Sequence, residues 1–182
     1  MFRRLVSAAA LAVAAVSCFE PPTKERQQAE GALAAARVAE AGTYAEAALS
    51  TAEQAFARYD AAVADRDYKQ ALRLAIEARD GAYDAARRAG DEKAARRSQA
   101  EHLAREVEGL IGDVEVRATQ TGLARASAER LKASARSAAK VLQEARSNLA
   151  AERYALVTSA LTPVGEGLRA ELTETATPRR SR

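Results

Sequence analysis

Alanine recurs along this chain at alternating steps of three and four residues, and that spacing restricts the fold more than any other feature. The clearest run is Ala124, Ala128, Leu131, Ala135, Ala138, Leu142, Ala145 and Leu149. It places small and medium apolar side chains along one face of a single α-helix. Ala71, Ala75, Ala78, Ala82, Ala85 and Ala89 keep the same step. Alanine is the strongest helix former because it loses no side-chain entropy on folding. Of the 182 residues 48 are Ala, while only 4% are aromatic and none is Trp. A β-sandwich or barrel needs β-branched and aromatic residues in short alternating runs bounded by Gly and Pro, so those folds are excluded. The pattern predicts an all-α chain: an elongated antiparallel helical bundle of Ala-rich heptad helices with one long helix.

Five helices follow from the spacing. Pro21-Pro22 breaks the chain and Thr23 can cap a first helix to about Ala41, with Leu33, Ala36 and Val38 inward and Gly42-Thr43 as its end. The second carries Ala45, Leu49, Ala52, Phe56, Tyr59 and Val63. A tight turn at Asp65-Arg66-Asp67, with Asp67 as N-cap, leads to a third helix from Tyr68 to about Ala118. Its inward positions resume at Leu103, Val107, Leu110 and Val114. The strong helix formers from Lys93 to Arg105 favour continuity through Gly90-Asp91, which makes this helix roughly 75 Å long at 1.5 Å per residue; the main alternative is a break there, since Gly can terminate a helix and Asp can cap the next. The Ala124–Leu149 seam is the fourth. The fifth faces inward through Val157, Leu161, Val164, Leu168 and Leu172, with a kink expected at Pro163 and a fraying tail from Thr173. Tyr68 and Tyr154 each follow a turn after a heptad-bearing helix, a faint internal repeat of 86 residues.

The first eighteen residues point to a compartment. Met1-Phe2-Arg3-Arg4 is a basic start, and Leu5 to Val16 is an apolar run interrupted only by Ser7. This is the layout of an export signal, too short for a membrane span, which takes about 20 apolar residues. Cys18, the only cysteine, follows Ala15-Val16-Ser17. A lone cysteine there resembles the lipobox of bacterial lipoproteins, which implies diacylglycerol on its thiol, cleavage before it and acylation of the new amino terminus. The alternative is an ordinary secretory signal cleaved near Ser17 that leaves a free thiol; lipidation is favoured over it because an unpaired thiol is a liability in an oxidising compartment, and a lipid-capped sulfur is not. Two or three acyl chains, palmitate among them, anchor stably where one is marginal. Phe19 stands where an inner-membrane protein often carries Asp, so the resemblance implies the outer membrane and its periplasmic face. The expected layout is a signal over 1–17, a lipidated tether over 18–22, the bundle over 23–172 and a basic flexible tail over 173–182.

Net charge carries little weight once the signal is set aside. The chain has 28 Lys and Arg against 25 Asp and Glu. Removing Arg3 and Arg4 leaves +1, and excluding Arg179, Arg180 and Arg182 as well leaves −2. A nucleic-acid partner calls for a concentrated basic face, and none is expected.

The stretch Ala32 to Ala100, with Gly42-Thr43-Tyr44-Ala45 and Asp65-Arg66-Asp67-Tyr68-Lys69-Gln70-Ala71 set among alanines at helical spacing, resembles an uncharacterised family of Ala-rich helical bacterial envelope lipoproteins carrying a domain of unknown function. Glu46 stands where that family often has Pro, and Arg66 where it usually has Gly. The resemblance implies a place and a shape, and no catalytic residue.

Residues with chemistry are few. His102 is the only histidine, which excludes a two-histidine metal site within one chain. It reads as a solvated surface group. Asp65 and Asp67 could pair on a divalent ion, but a capped turn explains both. Gly165-Glu166-Gly167 has no preceding strand, so it is no phosphate loop. Tyr44, Tyr59, Tyr68, Tyr83 and Tyr154 read as large fillers of an Ala-rich core. The expected function is therefore a non-catalytic structural or protein-interaction lipoprotein, with no cofactor, no metal, lipidation at Cys18 and an envelope protein as partner. The alternative is a module that binds a small apolar ligand or cell-wall fragment between helices.

Overall fold

The computed structural model describes residues 20–176; the expected signal, Cys18 and the terminal arginines lie outside them. Among the described residues the chain is all-α, with no strand and six helices: α1 Thr23–Val38, α2 Ala41–Tyr44, α3 Glu46–Ala64, α4 Tyr68–Thr119, α5 Arg125–Ala150 and α6 Tyr154–Ala176.

The sixth element comes from an earlier break than the spacing predicts. α1 opens with Thr23 as its first helical residue and Pro22 at the cap without a side-chain bond, so Thr23 is not the cap. It ends at Val38 because Glu40 turns left-handed, at φ 60°, and its N–H donates to the Arg37 carbonyl at 3.0 Å. Gly42 and Thr43 therefore sit inside the short α2 instead of ending α1, and Val38 is 84% exposed. The expected cap at Asp67 is present: the Gln70 N–H donates to its Oδ1 at 2.9 Å. α4 is helical through Gly90-Asp91, where Arg87 pairs with both Asp84 and Asp91 one turn away on either side. Pro163 lies inside α6, whose helical run continues unbroken to Ala176. That run passes the expected tail at Thr173, because Arg117 donates to the Thr175 carbonyl and Arg130 pairs with Glu174 at 3.0 Å.

The chain divides into two compact units, one ending at Glu92 and the other beginning at Lys93. In the first, α1 runs antiparallel to α3, as the pairs Arg37–Glu53 and Arg26–Asp60 require. α3 runs antiparallel to α4, tied by Arg58–Glu77. Its core is built of layers of small residues: Ala71, Ala75, Ala78, Ala82, Ala85 and Ala89 of α4 are all 0% exposed. They meet Ala29, Ala32, Leu33 and Ala36 of α1 and Leu49, Ala52, Ala55 and Tyr59 of α3. Small side chains let helices approach toward the lower end of the usual 8–10 Å separation. A Cβ built on Gly81 would stand 3.2 Å from the Ala52 Cβ.

The second unit repeats the three-helix arrangement with larger fillers. Val107 and Val114 of α4, Leu131, Ala135, Ala138, Leu142 and Ala145 of α5, and Val157, Leu161 and Leu168 of α6 form one cluster. Ala124 is exposed and precedes α5, so that seam begins a turn later than its spacing suggests. Arg146–Glu108 and Arg169–Glu106 pair α5 and α6 with α4.

The α3–α4 and α5–α6 turns have the same hydrogen bonds, 86 residues apart. Asp67 N–H donates to the Ala62 carbonyl and Arg66 N–H to Val63; Arg153 N–H donates to Asn148 and Glu152 N–H to Leu149. Each is a Schellman end whose left-handed residue is not glycine: Arg66 and Glu152 both have φ 57°.

Candidate functional site

Cys18, the expected lipidation site, lies outside the described residues, but the start of α1 that leads to it is held in place. The Tyr59 hydroxyl donates to the Pro22 carbonyl at 3.4 Å. Tyr59 is 2% exposed, its ring stacked on Phe56 at 6.1 Å between centroids. The Arg26 guanidinium lies 5.7 Å from the centre of the Phe56 ring. Burial pushes the Tyr59 hydroxyl above the usual phenol range, opposed by the positive charge of Arg26. The chain thus enters α1 against the end of the α3–α4 hairpin.

The polar candidates are placed apart. His102 is exposed on α4, and its neighbour Glu106 pairs with Arg169 instead. Asp67 caps α4 and Asp65 closes α3 through its own N–H, donated to the Ala61 carbonyl at 3.0 Å. Among the described residues no group of three or more His, Cys, Asp or Glu side chains could hold a metal ion. Gly165 and Gly167 are helical residues of α6. Gly165 is buried because α6 packs closely on α4: a Cβ there would stand 3.5 Å from Val107 Cγ2. The tyrosines form no cage. Tyr59 and Tyr154 are buried, Tyr44 and Tyr68 half-buried, and Tyr83 is 56% exposed.

The surface of the described residues includes two shallow grooves. One, about 330 Å³, is lined by Arg97, Glu101, Arg146, Leu149, Glu152 and Tyr154. Its charges are already matched: Arg97 pairs with Glu101 at 2.7 Å, Lys93 with Glu152 at 2.7 Å and Arg146 with Glu108 at 2.6 Å. The hydrogen bond from Lys93 and its positive charge hold the Glu152 carboxyl below the usual carboxylate range. The other, about 310 Å³, lies between α3 and α4 along Ala47, Ala48, Thr51, Gly81, Asp84 and Arg88. There Arg87 and Arg88 hold the Asp84 carboxyl low by hydrogen bonding. Ligand pockets are typically concave, apolar and about 300–1,000 Å³. These two are at the small end, and the first is lined largely by ion-paired side chains.

A different surface stands out in the structure. Leu72 and Ile76 are each 37% exposed beside the 56% of Tyr83, on one side of α4. Their spacing was visible in the sequence as steps of four and seven, but the alanine seam beside them drew the same periodicity. Comparison with protein-family models, with curated proteins and with solved structures finds no match for this chain.

Proposed function

We propose that this chain is a lipid-anchored protein of the bacterial envelope, held on the periplasmic face of the outer membrane through Cys18 and acting as a non-catalytic structural or protein-interaction module. The observation that carries the reading is the sequence itself: a basic start, a twelve-residue apolar run and the only cysteine at its end. Among the described residues no helix is long and apolar enough to cross a membrane. No charged residue is fully buried among the described residues, and the charged side chains lining the grooves are engaged in ion pairs. A helical surface of this kind presents charge and shape to a partner protein, whereas a ligand-binding role would call for an enclosed apolar cavity between helices. Cys18→Ala should abolish metabolic palmitate labelling and release the exported chain from the membrane fraction; unchanged labelling refutes the anchor. Crosslinking with mass spectrometry in the intact envelope then identifies the partner.

A further inference from the structure

At 100° per residue, Leu72, Ile76 and Tyr83 fall within about 40° of one another around α4. The buried seam of Ala71, Ala75, Ala78 and Ala82 lies roughly 100° away on the same helix, so these larger side chains are excluded from the core that the alanines fill. Lys69 and Arg73, both exposed, share their side of the helix. Asp80 is the acidic residue in this arc between Lys69 and Tyr83, and it is paired with Arg79 at 2.8 Å. An exposed apolar strip flanked by basic side chains matches an anionic bilayer, where aliphatic groups enter the interface and cations meet the headgroups.

The position of this strip is set by the chain that precedes α1. Pro22 is held at Tyr59, and Tyr59 packs with Ala71, Leu74 and Ala75, so α1 begins beside the first turns of α4 where Leu72 and Ile76 project. Cys18 is four residues before Pro22, a reach of at most about 14 Å. An acyl anchor there keeps the strip at high effective concentration near the lipid, so a patch too weak to bind unaided is sufficient. A second copy of the chain fits poorly. Three partly exposed side chains fall far short of the roughly 800 Å² per partner of a stable interface.

We propose that Lys69, Leu72, Arg73, Ile76 and Tyr83 form a docking surface for anionic phospholipid, which lays the first turns of α4 against the membrane that Cys18 anchors. The inference rests on the lipid anchor proposed above. Since the chain contains no tryptophan, Tyr83→Trp introduces a single reporter. The mature lipidated protein carrying it would be reconstituted in vesicles of phosphatidylglycerol and phosphatidylcholine, with bromine-labelled acyl chains as quencher, beside Ala57→Trp, exposed on α3 of the same unit, as a control. The emission of the Tyr83→Trp protein should shift to the blue and be quenched; that of the control should not. Raising the salt or omitting phosphatidylglycerol should weaken both effects, and adding Leu72→Glu and Ile76→Glu should remove them while the protein still floats with the vesicles. A lipidated, floating Tyr83→Trp protein whose emission matches the control overturns the docking surface and leaves the anchor standing. An intact mass without acyl chains overturns the anchor, and the docking inference with it. A blue shift that grows with protein concentration before vesicles are added assigns the strip to a second copy and overturns the lipid reading.

Discussion

Ala29 of α1, Ala55 of α3 and Ala78 of α4 meet in one layer, each 0% exposed, and Ala78→Leu tests whether that layer is full. Leucine adds three carbons. If space were available, their burial would stabilise the protein by about 2.4 kcal/mol at ~0.8 kcal/mol per carbon. The geometry one turn on argues against space, since a Cβ on Gly81 would already crowd Ala52 at 3.2 Å. Accommodating leucine must therefore push α3 from α4 and open the neighbouring layers around Ala75 and Ala82. Overpacking of this kind costs about 1–3 kcal/mol. Ala78→Gly loses about 1 kcal/mol of helix propensity and a buried methyl worth ~0.8 kcal/mol, so it should destabilise by about 2 kcal/mol. Both changes should lower the urea midpoint followed by circular dichroism, and the melting temperature by about 2–4 °C per kcal/mol for a chain of this size. A rise in the midpoint of Ala78→Leu would show that the layer has room and refute the close-packed account of the first unit.

Replacing the left-handed residues by glycine should stabilise the turns. For Arg66→Gly, relief of ~1 kcal/mol of backbone strain exceeds the added unfolded-state entropy by about 0.5 kcal/mol, read as a higher denaturation midpoint. Glu152→Gly should gain less, because it also deletes the partner of Lys93. Tyr59→Phe should flatten the alkaline limb of stability. The folded protein holds the phenol proton above the pH at which the unfolded chain releases it, so wild-type stability is full below about pH 10 and is lost as pH rises through the folded pKa; equal alkaline slopes for both proteins would exclude this. Ala135→Glu puts a carboxylate at a site 1% exposed and should cost several kcal/mol at neutral pH. Part of that loss should return as acid protonates it, whereas His102→Ala on the exposed face should leave the melt unchanged.

What could be read from the sequence follows from what each signal depends on. The α4 seam from Ala71 to Ala89 is buried at every position read, because helical phase alone fixes which face meets a neighbour. Asp67 caps as expected, since a carboxylate at that offset satisfies an N–H the helix leaves open. The end of α1 falls earlier than the spacing predicts, because Gly42 is the residue type that normally takes the left-handed position and here Glu40 takes it. Arg66 and Glu152 escape notice for the same reason: nothing in an arginine or a glutamate announces a positive φ. The proposed lipidation of Cys18 rests on the sequence alone, since that residue lies outside the described part of the chain. The lipid-facing strip needed the structure, which separates Leu72 and Ile76 from an alanine seam of identical period.

The two hairpins show how an internal repeat can keep its geometry while losing its residues. Positions 49, 52, 59, 71, 75 and 82 are buried, and so are 135, 138, 145, 157, 161 and 168, each 86 further on. Of these pairs only Ala52 and Ala138 are identical. The rest exchange size across the contact between the helices. In the first unit α3 supplies the bulk, with Leu49 and Tyr59, and α4 answers with Ala71, Ala75 and Ala82. In the second α5 supplies Ala135 and Ala145, and α6 answers with Val157, Leu161 and Leu168. At these positions large against small has become small against large, an exchange a packed core tolerates because the total volume matters more than which helix supplies it. The turn hydrogen bonds and left-handed residues at 66 and 152 stay fixed because they depend on backbone geometry, which no exchange of side-chain size disturbs. Sequence identity is therefore a poor measure of likeness between the hairpins, and the register of buried positions is a good one.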